Sequence, residues 1–145
     1  MEKGLITELK SRFDSMAHLD EESGIEFWYA RELQVALGYS EWRNFTKVIE
    51  KAKISCEIAT GLVPNHFVDV NKMVTLGSDS QRSIEDTKLT RYACYLIAQN
   101  GDPRKDEIAF AQSYFALQTR KQELIEDRIN LLRRLETRDR LKRSE

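Results

Sequence analysis

The chain is sparing with the residues that cross-link or punctuate a protein: two cysteines, two prolines and six glycines among 145 residues. Cys56 and Cys94 each stand in an apolar helical context, with no CxxC pair and no Cys/His spacing suited to zinc. The expectation is two reduced core thiols in a cytoplasmic protein, with no metal and no cofactor. Only His18 and His66 represent histidine, and neither has a Cys or Ser partner at a spacing that marks a nucleophile–base pair. Walker, GxGxxG and HExxH patterns are missing, and nothing singles out one carboxylate pair among the 24 acids. The sequence therefore reads as non-enzymatic. No apolar run reaches the ~18 residues a membrane helix needs. The first segment, "MEKGLITELKSRFDSM", is amphipathic and mixed in charge rather than a signal peptide. Neither sign of charge dominates, with 23 basic residues against 24 acidic ones. Any argument for nucleic acid must come from how the charge is distributed.

The patterns that are present are mostly helical. Leu5, Leu9, Phe13 and Met16 recur at helical spacing and predict a first helix. "IEFWY" is short, β-branched and aromatic, and predicts a strand. A short helix over Ala30–Leu37 follows, ended by Gly38 as a left-handed terminator. Ser40 is expected to N-cap the next helix. In that helix Trp42, Phe45, Ile49, Ala52, Cys56 and Ala59 form one apolar stripe, closed by Gly61 and Pro64. "HFVDVNKMVTLG" alternates in part and predicts one or two short strands. "GSDSQRSIEDTK" reads as an exposed polar loop, with the tip of a hairpin as the alternative.

The segment "LTRYACYLIAQNGDP" predicts a buried helix from about Thr90 to Gln99 with a hard stop at Asn100–Pro103. Cys94 and Tyr95 are expected in the core, and Arg91 is expected to pair with Asp86 or Asp79 from the polar loop. From about Arg104 onward there is neither Gly nor Pro. Ile108, Ala111, Phe115, Ile125, Ile129 and Leu132 fall on a heptad seam that Gln118 and Gln122 interrupt. One long helix, or two with a break, is expected. The fold class is α+β: a small sheet, a helix-turn-helix-like pair and a long C-terminal helix.

Three features point to a partner. Two helices around Gly38, joined by a turn of about three residues, have helix-turn-helix proportions. On the second, Arg43, Lys47 and Lys51 are four apart and share a face with Asn44 beside them, turned away from the apolar stripe. Arg and Asn read guanine and adenine edges, and Lys serves phosphates. A solvated basic face with no partner would show the same pattern. The loop Gly77–Arg82 offers backbone N–H groups and Arg82 to a phosphate, although a plain hairpin tip accounts for it more simply. Lastly, Arg128–Arg143 carries seven basic residues against Glu136 and Asp139, a local net charge of +5. This is either a favourable placement of cations at a helix C-terminus or an extension that touches phosphates.

"LGYSEWRNFTKVIEKAK", "GSDSQRSIEDTKLT", "RYACYLIAQNGDP" and "IAFAQSYFALQTRKQEL" occur in the order seen in the DNA-damage-inducible protein D family, which the chain resembles from roughly Ile25 to Leu124. The N-terminal part of that family resembles the Bro-N domain of baculovirus Bro proteins and phage antirepressors. The resemblance implies a Bro-N-like DNA-binding domain over residues 1–124 and a charged helical extension over 125–145. It also implies expression under the SOS response and an association with RecA-dependent recombination. Family members usually run past this length, with a second region after "QTR". The expected partners are DNA and the RecA recombinase, with no membrane. The alternative is a protein-interaction module that binds a recombination or regulatory partner without touching DNA. The apolar residues Leu124–Leu135 exceed what one small domain needs and lead to the expectation of a homodimer through the C-terminal helix.

Overall fold

The computed structural model describes residues 3–143, apart from the side chain of Gln122. The expected interruption of the helical seam at Gln122 thus lies outside the described residues. Ten elements follow in order: α1 (Lys3–Met16), β1 (His18–Leu19), β2 (Glu26–Tyr29), α2 (Ala30–Ala36), α3 (Trp42–Thr60), α4 (Val63–His66), β3 (Phe67–Thr75), β4 (Gln81–Leu89), α5 (Arg91–Gln99) and α6 (Asp106–Arg143). The strands make one antiparallel sheet in the order β1-β2-β4-β3. The fold is α+β, as the sequence leads one to expect.

The sheet differs from expectation in one large respect. Residues 81–89 are not loop but a nine-residue strand, paired with β3 from Thr75↔Gln81 to Phe67↔Leu89. Only the turn at Leu76–Ser80 is irregular. It closes through Leu76 N–H donating to Ser80 O at 2.7 Å, with Asp79 in the left-handed region at φ 63°. β2 pairs with β4 only at Trp28↔Leu89 and Tyr29↔Lys88. The outer part of β3–β4 is therefore a two-stranded ribbon that leaves the body of the protein.

The core forms where helices close over the root of that ribbon. Phe115 of α6 meets Trp28 of β2 edge-on at 5.4 Å and Phe13 of α1 edge-on at 5.8 Å. All three side chains are fully buried. Such edge contacts add to the burial of large apolar area. From α3 the inward stripe Phe45, Ile49, Ala52 and Cys56 completes the core. Cys94 is fully buried, and desolvation pushes its thiol well above its ordinary value. Tyr95, expected in the core, is only half-buried, because α5 presents Ala93, Cys94, Ile97 and Ala98 inward and its other face lies near the surface. Gln99 is exposed.

The hard stop after α5 has a physical cause. Thr90 caps the helix by accepting from Ala93 N–H at 3.2 Å. At the other end Gly101 N–H donates to Ala98 O at 3.0 Å, and the carboxylate of Asp102 accepts from Arg104 N–H. Gln112 on α6 donates its side-chain amide to Ala98 O at 2.9 Å and ties the two helices together. Gly101 sits where α6 passes closest. A Cβ there would lie 2.7 Å from Ile108 Cγ2 and 3.3 Å from Ala98 O. α6 then runs unbroken through residues 124 and 125. Its first third is anchored by buried Ile108, Ala111 and Phe115, and from Arg120 onward its described side chains are exposed.

Two outcomes follow from this packing. Gly101→Ala is expected to lower stability by about 1–3 kcal/mol, the cost of forcing a methyl group into packed space, read from the midpoint of a denaturant curve. The second concerns the junction of α1 and α6, where Tyr114 Oη donates to Asp14 Oδ1 at 2.6 Å. That hydrogen bond holds Asp14 below its ordinary 3.8, while burial first and Asp14 second push the Tyr114 hydroxyl far above its ordinary 10.0. The fold thus favours ionised Asp14 and protonated Tyr114. Their contribution is present between those two ordinary values, fades as pH falls through the depressed carboxylate value, and fades again as pH rises above 10.0. Tyr114→Phe is expected to cost roughly 1 kcal/mol at neutral pH, discounted because Asp14 is partly exposed. Its stability curve should approach wild type as pH falls through the depressed Asp14 value, and cross above it at pH beyond 10.0, where only wild type has a half-buried phenol to ionise.

Candidate nucleic-acid interface

The helical pair is built from the turn outward. α2 ends at Ala36 and α3 begins at Trp42, so five residues separate them, not the three expected. Gly38 takes φ 82°, which a side chain would oppose. Buried Gln34 donates its amide to Tyr39 O at 2.9 Å, and Tyr39 N–H returns a bond to Gln34 O at 3.1 Å. Those bonds fix the angle of the turn. Ser40 does not cap α3. Glu41 occupies the cap position and makes no side-chain cap bond, so the helix starts one residue later than expected, while α2 ends one residue earlier. Tyr39 and Trp42 then pack against Phe45 at 5.1 and 6.0 Å between ring centres.

With Phe45, Ile49, Ala52 and Cys56 turned inward, Arg43, Asn44, Lys47 and Lys51 all fall on the exposed side of α3. The Arg43 guanidinium, 80% exposed, meets the Glu41 carboxylate at 3.1 Å. An ion pair that open to water is worth little and exchanges readily for a phosphate. Further along the same face stand Ile54 and Ile58, at 62% and 83% exposure. Arg82 is exposed as well, but it stands on the ribbon opposite Val74, beside the turn. It lies roughly 14 Å along the strand from Asp86, where the ribbon joins the body. The structure therefore unites four of the five expected residues and leaves Arg82 apart.

Between α3 and the ribbon lies a cleft with a different character. Glu50, Asp69 and Glu85 line it against the single cation Lys53, with Trp42 at one end and Asp86 sealed in its wall. Its acidic lining disfavours phosphate, so the outward face of α3, and not the cleft, is the side suited to a polyanion.

The residues that hold this geometry were invisible to sequence reasoning. The side chain of Asp86 has no exposed surface. Its Oδ1 accepts from Arg31 N–H at 3.1 Å and from Thr87 N–H at 2.8 Å, while the Lys72 ammonium lies 2.9 Å from Oδ2, a charge contact rather than an aligned hydrogen bond. Lys72 also sits 3.3 Å over the Tyr29 ring. Arg31 donates through Nε to Glu85 O at 2.6 Å and stacks its guanidinium 4.2 Å over Trp42. One carboxylate thus joins β2, α2, the ribbon and the start of α3. Arg91, expected to pair with Asp86 or Asp79, instead meets Glu26 at 3.5 Å, because it stands beside β2 and not beside the ribbon. Among the described residues no helix is long and apolar enough to cross a membrane, and no group of His, Cys, Asp or Glu is placed to hold a metal ion.

Fold and site together define a small α+β domain with an exposed, basic second helix. The chain belongs to the BRO family, N-terminal domain, whose family model matches residues 16–116. It is also similar to DNA damage-inducible protein D of Escherichia coli (strain K12), at 50% identity over 105 residues, covering 72% of this chain. The chain spans 38% of that relative's length. No solved structure matches it.

Removing the Asp86 carboxylate tests the junction. Asp86→Ala strands the Lys72 charge and two backbone donors, so a loss of about 3 kcal/mol is expected in equilibrium unfolding. Asp86→Asn keeps an acceptor for Arg31 N–H and should lose less.

Proposed function

We propose that this chain is a non-enzymatic DNA-binding protein of the DNA-damage response, and that Arg43, Asn44, Lys47 and Lys51 on α3 touch the DNA. The single observation behind this reading is the exposed face of α3, which gathers three cations and an amide on a helix anchored by its opposite side. Membership of the BRO family and likeness to a relative named for DNA-damage induction support it. Arg82 on the ribbon and the cations of Arg128–Arg143 serve as outlying phosphate ligands, reached by a duplex that runs past α3. The DNA-binding unit is taken as residues 1–124, with 125–145 as its charged extension. An SOS-type pattern of expression, a cytoplasmic location, an effect on the RecA recombinase and the pairing of two chains through α6 belong to the same reading.

A second reading has its own support. Ile54 and Ile58 continue the basic face as exposed apolar residues, which suits a protein partner better than a phosphate backbone. On that reading the chain is an interaction module that leaves DNA untouched.

Titration of labelled single- and double-stranded DNA at several salt concentrations separates the two. For the DNA reading, log affinity falls steeply with log salt. In an Arg43→Ala, Lys47→Ala, Lys51→Ala variant that slope should become shallower by about one unit for every phosphate no longer neutralised. A variant that folds normally and binds DNA as wild type does would overturn the assignment to α3.

A further inference from the structure

The distal half of α6 carries a second apolar surface, separate from the one that docks on the domain. Ile108, Ala111 and Phe115 are buried against the body of the protein, whereas Leu124, Ile125, Ile129, Leu131, Leu132 and Leu135 are each 43–54% exposed. Leu117, Leu124 and Leu131 are seven apart, and Ile125 and Leu132 repeat the interval beside them. A seven-residue repeat of this kind keeps an apolar stripe facing one partner helix. The charges along the segment are polarised. Glu126 and Asp127 lie in the half of the stripe nearer the domain, preceded by Lys121 and the Arg120–Glu123 pair, and Arg133, Arg134, Arg138, Arg140, Lys142 and Arg143 lie toward the far end with only Glu136 and Asp139 among them.

We propose that this stripe pairs with the same stripe of a second copy of the chain, and that the two helices run antiparallel. The inference deepens the pairing of chains proposed above and does not depend on DNA binding. Charge complementarity decides both the partner and the direction. A parallel pair would set one basic end against another in an apolar seam, where like charges repel. An antiparallel pair that sets Leu124 beside Leu135 brings Glu126 and Asp127 of each helix next to Arg133 and Arg134 of the other, so the middle of the segment is complementary to itself when reversed. Arg128 lies within the stripe, and in the pair it rests its aliphatic stem there while its guanidinium reaches past the edge. The two domains then stand at opposite ends of the paired region.

Sedimentation of the full chain at roughly tens of micromolar, a range in which weak dimers persist, should show a dimer. Ile125→Asp, Ile129→Asp should sediment as a monomer with an unchanged near-ultraviolet spectrum, since both side chains lie outside the core. A monomeric wild type, or a dimer that survives this double substitution, overturns the proposal. Direction is read by disulfide trapping. The native Cys56 and Cys94 are buried and do not compete. Chains carrying Leu124→Cys and chains carrying Leu135→Cys should link when mixed and oxidised, and neither should link to itself. Self-linking of the Leu135→Cys chain, or no link in the mixture, overturns the antiparallel arrangement. DNA titration of the monomeric double variant keeps this outcome distinguishable from failure of the DNA-binding reading.

Discussion

The Asp86 carboxylate, sealed from water, is the point through which the ribbon, β2 and the helical pair are held to one another. A buried charge is costly unless it is met on every side, and this one is met by Arg31 N–H, Thr87 N–H and the Lys72 ammonium. Because Arg31 lies in the first turn of α2 and Tyr29 offers no side-chain cap, the carboxylate takes the role of capping that helix. Through the Gln34–Tyr39 bonds the start of α2 fixes the turn, and the turn fixes the direction of α3. The orientation of Arg43, Lys47 and Lys51 is thus set by a group that faces none of them.

The same arrangement explains how a chain of nearly balanced charge presents surfaces of opposite sign. Acids gather in the cleft between α3 and the ribbon, and cations take the outer side of α3 and the far end of α6. Net charge averages these surfaces away, although a ligand within a Debye length meets only one of them. A near-neutral composition is therefore compatible with a face suited to a polyanion.

Helical periodicity made α1, α2, α3, α5 and α6 legible in the sequence, along with the shared face of Arg43, Lys47 and Lys51, because all of these depend on residues within a few turns. What escaped depends on distant residues. β4 reads "QRSIEDTKL", nearly all polar, and its strand character comes from nine-fold pairing with β3 rather than from an alternating apolar face that the sequence would show. β1 has two residues, too few for any period. Tyr95 and Cys94 are neighbours of similar helical context, yet only the packing of α6 and α3 against α5 decides that Cys94 is sealed and Tyr95 is half open. The Asp86 cluster draws on residues up to 55 positions apart, and no local signal marks Asp86 from the acids around it. α3 starts one residue past the point that Ser40, the better intrinsic cap, marks in the sequence, because tertiary geometry overrides that local preference.

The unbroken course of α6 makes its two apolar surfaces depend on each other as a matter of phase. Each residue of an α-helix turns the chain by about 100° and advances it by ~1.5 Å. One residue inserted between Phe115 and Leu124 would leave both surfaces chemically intact and swing the outer one about a quarter-turn away from its direction. Seven residues would restore the bearing almost fully and lengthen the arm by roughly 10 Å. The spacing between these two stretches is thus held by angle far more tightly than by length, and an inserted residue there disturbs more than an exchanged one.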